Sequence, residues 1–396
     1  MDDAITTLFS DFDRGTISRR QLLQALGFAA AAVVPLNVFA QGRCGGARAG
    51  TPGCDTTPGK APFAPTGWTT VYMDHFSLQC ADYKKEAAYY ATLMNWKIRS
   101  DDGTKIYMDI GDDVGGVMLR GGYVAPPPPP PRVLTPAEST AVAARGGRGG
   151  GGGGGRGGPR APLTAAWDSF CWGIEPWNTK KVEAELTKRG LNPVADHDGK
   201  DFQCFHVKDP DGFDVMISNG NKKNRRLGAA TGALPVPAPF DPAPLKTVWL
   251  DHISFAVTNY KESTAFYEAL LGWKGTGDEG SQNECQIGEL GNIIIRGTSG
   301  IVRPGGVDST GGRGGQAAAP AARHAVINHI SFGVAPWDTD GVAAELAKRG
   351  LSARPDTGGS LEIHDEKAKY KSYHTTTPGG WDLQISNATR ETRLVR

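Results

Sequence analysis

Two stretches of this chain repeat later in the chain, and the repetition limits it to folds built by copying one module. YMDHFSLQCADYKKEAAYYATLMNWK aligns without gaps on WLDHISFAVTNYKESTAFYEALLGWK, placing Asp74 on Asp251, His75 on His252, Tyr83 on Tyr260, Tyr90 on Tyr267 and Trp96 on Trp273. WDSFCWGIEPWNTKKVEAELTKRGL aligns on INHISFGVAPWDTDGVAAELAKRGL, placing Pro176-Trp177 on Pro336-Trp337 and Lys188-Arg189-Gly190 on Lys348-Arg349-Gly350. Self-similarity of this kind marks a chain assembled from duplicated supersecondary units.

Each unit shows the same order of patterns. An alternating apolar strand (Phe76 and Leu78; Ile253 and Phe255) leads to a helix whose apolar residues lie three and four apart (Val182 and Leu186; Val342 and Leu346). Gly190 or Gly350 closes the helix, and short strand-like runs follow, ending in FDVMISN or WDLQISN. The prediction is an α+β chain of four βαβββ modules.

Composition locates the breaks between modules. The 54 Gly and 27 Pro of 396 residues, about a fifth of the chain, concentrate in a few runs. These are 41–67, 124–163 with PPPPPP and GGRGGGGGGGRGG, 220–246, and 298–325 with GGRGG and AAAPAA; such runs read as flexible or extended linkers. The expected organisation is a first domain at 68–219 (modules 68–123 and 164–219) and a second at 247–396 (modules 247–297 and 326–396). A net charge of +1 provides no field to hold a polyanion, which argues against a nucleic-acid partner despite the RGG-like runs.

Residues 1–40 read as an address. Ser18-Arg19-Arg20-Gln21-Leu22-Leu23, a weakly apolar Ala-rich stretch to Val34, and Val38-Phe39-Ala40 before a cleavage point resemble a twin-arginine export signal. The resemblance implies the twin-arginine export machinery as a partner, a periplasmic or secreted location, and no stable membrane anchor after cleavage. None of the six cysteines forms a CxxC pair. Cys44 and Cys54 could close a small loop in an oxidising compartment. Cys80, Cys171, Cys204 and Cys285 sit in apolar contexts that predict buried packing.

A βαβββ unit with MDHFS, LDHIS or NHISF in its first strand and DPDGFDVMIS or TPGGWDLQIS at its last resembles the vicinal oxygen chelate superfamily. That superfamily includes glyoxalase I, fosfomycin-resistance proteins, bleomycin-resistance proteins and extradiol ring-cleaving dioxygenases. The resemblance implies that modules pair into half-barrel domains, with metal ligands on first and last strands. The matching positions in the second half are His252, His329 and Gln384. In extradiol enzymes the equivalents are two histidines and a glutamate holding Fe(II) or Mn(II), with Zn(II) an alternative elsewhere in the superfamily; here the carboxylate is an amide. A neutral ligand set leaves the ion its full charge and weakens its affinity.

His374 falls where extradiol enzymes carry a tyrosine, and near neutral pH a histidine there can exchange a proton with a bound oxygen. The catalytic histidine those enzymes carry late in module three has no counterpart within SQNECQIGELG, where Glu284 and Glu289 are the acid/base candidates, Glu289 being expected to face solvent. In the first half Ser169 and Met216 replace His329 and Gln384, so His75 alone survives, as a buried partner of Asp74. His206 is the twin of His374, which favours a shared structural role. His197 and His364 read as surface residues, and Trp177 and Trp337 as packing anchors.

The expected function is a divalent-metal-dependent dioxygenase, lyase or isomerase acting from the second domain on a small compound with neighbouring oxygens. The competing expectation is a metal-free small-molecule binding protein of the bleomycin-resistance type. A surface or scaffold role rests on the Gly and Pro runs alone.

Overall fold

The computed structural model describes residues 57–124, 163–197, 201–226, 233–297 and 325–393. Module one runs β1 (Thr69–Cys80), α1 (Tyr83–Met94), β2 (Lys97–Asp101), β3 (Lys105–Ile110) and β4 (Gly115–Arg120). Module two runs β5 (Ala165–Glu175), α2 (Thr179–Lys188), β6 (Val194–Ala195), β7 (Cys204–Lys208) and β8 (Asp214–Ser218). Module three repeats the order with β9 (Lys246–Val257), α3 (Tyr260–Leu271), β10 (Lys274–Asp278), β11 (Gln282–Ile287) and β12 (Gly291–Gly297). Module four has β13 (Val326–Ala335), α4 (Thr339–Lys348), β14 (Arg354–Asp356), β15 (Ser372–Thr376) and β16 (Asp382–Ser386), then a short α5 (Arg390–Arg393).

Local chemistry sets the helix ends. Asp82, Asn178 and Asn259 accept hydrogen bonds from first-turn amides of α1, α2 and α3, replacing partners that a helix N-terminus lacks. Asn95 and Gly272 take left-handed conformations that stop α1 and α3, and Gly190 and Gly350 do the same just past α2 and α4.

The modules pair as expected, into two eight-stranded sheets ordered β2-β3-β4-β1-β5-β8-β7-β6 and β10-β11-β12-β9-β13-β16-β15-β14. In each sheet the long first strands of its two modules run antiparallel at the centre, β1 with β5 and β9 with β13. Each central strand also pairs in parallel with the last strand of its own module, β1 with β4, β5 with β8, β9 with β12 and β13 with β16. Side chains alternate across the strands. Ile253, Phe255, Ile330, Phe332, Leu383 and Ile385 enter the apolar core, so His252, Ser254, His329, Ser331, Gln384 and Ser386 share the opposite face.

One cluster of buried apolar side chains extends through both halves, which settles their packing. Trp96 Nε1–H donates to Thr247 Oγ1 (2.9 Å), and reciprocally Trp273 Nε1–H donates to Thr70 Oγ1 (3.0 Å). Thr70 Oγ1–H then donates to Leu271 O (2.9 Å) and Thr247 Oγ1–H to Met94 O (3.4 Å). The rings of Tyr90 and Trp96 stack at 4.6 Å and those of Tyr267 and Trp273 at 4.7 Å. Phe170 meets Phe255 at 5.8 Å and Trp96 meets Phe332 at 5.2 Å, both across the boundary between halves. Apart from Thr57 and the turn Asp278–Ser281, where Gly280 N–H donates to Asp278 Oδ1 (2.8 Å), the described residues form one unit.

Parts of the segments read as linkers are built into this unit. Thr66 N–H donates to Ala269 O (2.9 Å), Arg226 N–H to Asp74 Oδ1 (2.9 Å) and Ala243 N–H to Thr92 O (2.9 Å). Gly and Pro keep a segment from building its own core, but an extended segment can still dock on a surface that other elements supply. Cys80, Cys171, Cys204 and Cys285 are buried free thiols. The export signal expected at 1–40 and the Cys44 and Cys54 loop lie outside the described residues, as does most of the inserts at 124–163 and 298–325.

Because each buried tryptophan ties one half to the other, Trp273→Ala should cost about 3–5 kcal/mol. Denaturant unfolding followed by fluorescence and circular dichroism should still give one transition; two resolved transitions would show that the halves unfold separately.

Candidate metal centre in the second sheet

Strand register gathers the second-half residues. Across the face away from the core, His252 lies opposite Ser331, Ser331 beside Gln384, and Gln384 opposite His374. His329 sits one row along, beside Asp382. His252 Nε2 and His329 Nε2 are 3.1 Å apart, and the His329 and His374 rings meet edge to face at 5.3 Å. The four residues predicted for the site therefore converge on one patch of sheet.

Asp251, next in sequence to His252, anchors the patch although it is wholly buried. Its Oδ2 accepts from Tyr370 OH (2.7 Å), Ser331 Oγ (2.8 Å) and Ser386 Oγ (3.2 Å), and lies 3.2 Å from His252 Nδ1. Its Oδ1 forms an ion pair with Arg393 Nε at 2.7 Å. Burial opposes this charge, but His252, Arg393 and Tyr370 outweigh it and hold the carboxyl below its usual range. With Nδ1 turned to a carboxylate, His252 presents Nε2 to the patch, as metal-ligating histidines do when a carboxylate fixes their other nitrogen. Burial, reinforced by His252 and His374, holds His329 well below 6.5, so its imidazole is neutral with a lone pair to give.

Gln384 is 1% exposed, and its amide nitrogen is fully used. Nε2–H donates to Ser372 Oγ (2.8 Å) and Tyr370 OH (3.1 Å), with Asp356 Oδ2 at 3.4 Å. Its Oε1 is buried without a hydrogen-bond partner. A buried carbonyl-type oxygen without a donor is costly and unusual, and a cation is one species that satisfies it. The chain Gln384 to Tyr370 to Asp251 thus orients the amide with its oxygen free. The 3.1 Å between the two Nε2 atoms is what imidazoles span when they meet one ion at a right angle with bonds of about 2.1 Å. His252, His329 and Gln384 together offer two imidazole nitrogens and one amide oxygen, a set that fits a borderline divalent ion.

His374 lies between two carboxylates, with Nδ1 3.0 Å from Asp382 Oδ2 and Nε2 3.3 Å from Asp356 Oδ2. Burial opposes its charge, but the hydrogen bonds its ring N–H groups donate to Asp356 and Asp382 win and push it up to about 9. It is an imidazolium at neutral pH, hence a proton donor. His206 has the same setting in the first half, between Asp214 (2.7 Å) and Asp196 (3.1 Å), and is pushed up to about 10, chiefly by Asp196. This arrangement is shared by both halves.

Other sequence expectations resolve plainly. Glu284 Oε1 accepts from Arg393 Nη2 (3.0 Å) and Asn292 Nδ2 (3.1 Å), while Glu289 pairs with Arg390 at the surface. His75 is fully buried with Nδ1 2.7 Å from Asp74 Oδ2. His197 and His364 are exposed. Trp177 and Trp337 stack on Phe205 and Tyr373 as anchors. Sequence reasoning missed Tyr370, Ser372, Asp356, Asp382 and Arg393. The duplication carried a signal for two of them, since Asp196 and Asp214 recur as Asp356 and Asp382 beside the recurring histidine.

No family model matches the sequence, and no curated protein matches it. Among solved structures, the chain is similar to the Mn(II)-bound glyoxalase from Novosphingobium aromaticivorans, at 13% identity over 81% of this chain and 82% of that one, with a TM-score of 0.50. It is similar to an extradiol ring-cleaving dioxygenase from B. fuscum, at 14% identity over 84% of this chain and 75% of that one, with a TM-score of 0.50. At these identities the likeness establishes the fold: α+β, with βαβββ modules paired into two half-barrel domains of the vicinal oxygen chelate type.

The setting of His374 is open to titration. With a folded value of about 9 against about 6.5 unfolded, it contributes stability that is complete below pH 6.5 and lost as pH rises through 9. Imidazole NMR should show a midpoint near 9 that falls toward 6.5 in Asp356→Asn/Asp382→Asn; an unchanged midpoint in that variant would refute the two-carboxylate cause.

Proposed function

We propose that this chain is an exported, divalent-metal-dependent enzyme of the glyoxalase and extradiol-dioxygenase kind, working from its second half on a small compound with vicinal oxygens. The observation that carries the reading is the partnerless Oε1 of buried Gln384 on the same sheet face as two imidazoles whose Nε2 atoms stand 3.1 Å apart. His252, His329 and Gln384 hold the ion in this proposal, Fe(II) or Mn(II) before Zn(II), and leave positions free for two substrate oxygens. The ion supplies Lewis-acid polarisation of those oxygens. A substrate anion offsets the charge that three neutral ligands leave uncompensated.

The protein groups around the ion have assignable parts. Asp251 and Tyr370 hold His252 and Gln384 in their orientations, and Ser331 braces Asp251. His374, charged at neutral pH, donates a proton to an oxygen bound at the patch, and Asp356 and Asp382 favour its reprotonation. A protonated donor suits isomerisation, lyase or addition chemistry at a carbonyl or enolate. Ring cleavage of the usual extradiol kind is less well served, because a histidine is lacking among Gln282–Ile287. Export through residues 1–40 by the twin-arginine route belongs to the same reading, and Arg19→Lys/Arg20→Lys should abolish it.

A metal-free binding site is the second reading, favoured by the contact between His252 Nε2 and His329 Nε2, which lets each ring satisfy the other. Elemental analysis of the mature protein, prepared without chelator or affinity histidines, decides between them. Near-stoichiometric Fe, Mn or Zn in the wild type and none in His252→Ala/His329→Ala is expected. A wild type that stays empty after loading with Fe(II) or Mn(II) would overturn the enzyme reading and leave the binding one.

Two further outcomes follow from the ligand chemistry. Gln384→Glu adds a negative charge at the ion and should tighten divalent metal binding by about tenfold or more, some 1.4 kcal/mol. On whatever substrate a screen identifies, His374→Gln should lower kcat by about 10²-fold or more while leaving metal content unchanged.

A further inference from the structure

The first half keeps the sheet face that carries the second-half centre but not its ligand set. Ser169 stands where the second half has His329, and Cys171, Phe202, Cys204 and Met216 form a buried cluster where it has Ser331, Tyr370, Ser372 and Gln384. A serine in place of a histidine leaves room, and this face bears a cavity of about 440 Å³, a volume within the usual range of small-molecule sites.

Strand register builds the cavity. One row across the sheet runs Tyr107, Met118, Ser77, Ser169 and Asp214, on β3, β4, β1, β5 and β8, and all five residues line it. On one side of that row lie Met216 and His206, opposite each other on β8 and β7; on the other lie Lys105 and Arg120, opposite each other on β3 and β4. Ser77 is fully buried, and its Oγ has no hydrogen-bond partner among the described residues. A buried hydroxyl left unpaired is costly, and a polar atom of a bound molecule at that wall supplies the partner.

The charges around the wall are matched except for one. Arg226 Nη2 donates to Asp196 Oδ2 (3.0 Å), and Arg120 pairs with Asp168. His206, an imidazolium at neutral pH, lies between Asp214 and Asp196. Three cations thus meet three carboxylates, and Lys105 is in excess. Its ion-pair partner Asp102 is half exposed, stands 3.9 Å away and does not line the cavity, and an exposed pair of that kind holds a lysine weakly. Lys105 Nζ also stands 5.9 Å from the centre of the Tyr107 ring, so an anion brought to it lies beside that ring. Tyr107, Met118 and Met216 supply a ring and two thioethers, surfaces on which an aromatic body packs well.

We propose that this cavity of the first half is a metal-free binding site for a small aromatic carboxylate, with the carboxylate at Lys105, the ring against Tyr107 and Met118, and a polar ring substituent at Ser77 Oγ. The site is separate from the metal centre proposed for the second half and does not depend on it.

The sequence provides a local reporter. The chain has six methionines, none of them in the second half, and Met73, Met94 and Met108 lie in the apolar core. Methyl NMR of the methionine-labelled full-length chain, freed of metal with a chelator, is followed during titration with benzoate, 4-hydroxybenzoate and phenylacetate, and with 4-hydroxybenzamide as the neutral counterpart. Met118→Leu and Met216→Leu assign the two cavity resonances. The expected result is a saturable shift of the Met118 resonance with at least one of the acids, at a Kd of about 1 mM or tighter. Affinity should fall about tenfold in Lys105→Gln and for the amide, the loss of one charge-assisted contact, and should persist in His252→Ala/His329→Ala. Lys105 is a partly exposed side chain, so its replacement leaves the core intact. The proposal is overturned if none of the three acids shifts Met118 saturably, if the amide binds as tightly as the acid, if Lys105→Gln binds with unchanged affinity, or if binding is lost in a folded His252→Ala/His329→Ala.

Discussion

The antiparallel pairing of first strands, β9 with β13 and β1 with β5, is the constraint on which the other features rest. It joins two five-element modules into one continuous sheet and leaves no exposed edge between them. Because side chains alternate, the same register that sends Ile253 and Ile330 into the core sends His252 and His329 to the other face. A slip of one residue would bury the histidines and expose the core. The core therefore fixes the strand rows on which these side chains stand, and Asp251 and Tyr370 then fix the orientation of His252 and Gln384.

On that common frame the two halves solve the burial of a first-strand Asp-His pair differently. In the second half Asp251 gathers Tyr370, Ser331, Ser386, His252 and Arg393, and this network orients Gln384. In the first half Asp74 is satisfied by His75 and the Arg226 backbone, and the hydroxyls matching Ser331, Ser372 and Tyr370 are gone, while Ser218, at the place of Ser386, turns its hydroxyl to Trp172 O. The substitutions move together because half of a buried polar network is worse than none. Removing Tyr370 alone would leave both Asp251 and Gln384 short of a partner, whereas Phe202 with Cys171, Cys204 and Met216 closes the space without polar groups to satisfy. What remained common is the histidine held between two carboxylates, His206 and His374.

The packing of one half against the other gives these faces a rigid backing. Trp96 and Trp273 each stack on a tyrosine of the helix that precedes them and donate across the boundary to a threonine of the other half. The arrangement is reciprocal, as a duplicated chain with a self-complementary surface permits. Extended segments such as 233–246 then lie along it and contribute Ala243 and Leu245 to the core.

Sequence alone determined the module, its order and its fourfold repetition, because a duplicated pattern of strand and helix periods is legible without knowing any contact. The resemblance of its strand motifs to the vicinal oxygen chelate superfamily also singled out His252, His329, Gln384 and His374, since residue types at motif positions are one-dimensional information. Only the tertiary structure decided that Tyr370, Ser372 and Arg393 join Asp251 and Gln384, that His374 is charged and His329 neutral, and that residues written in linker-like composition are docked. Those properties depend on which strands are neighbours and how much water each group loses, and both are set by contacts between segments far apart in the chain. The sulfur cluster illustrates the difference: each of Cys171, Cys204 and Met216 reads as a packing residue by itself, and only strand register brings them together beside His75.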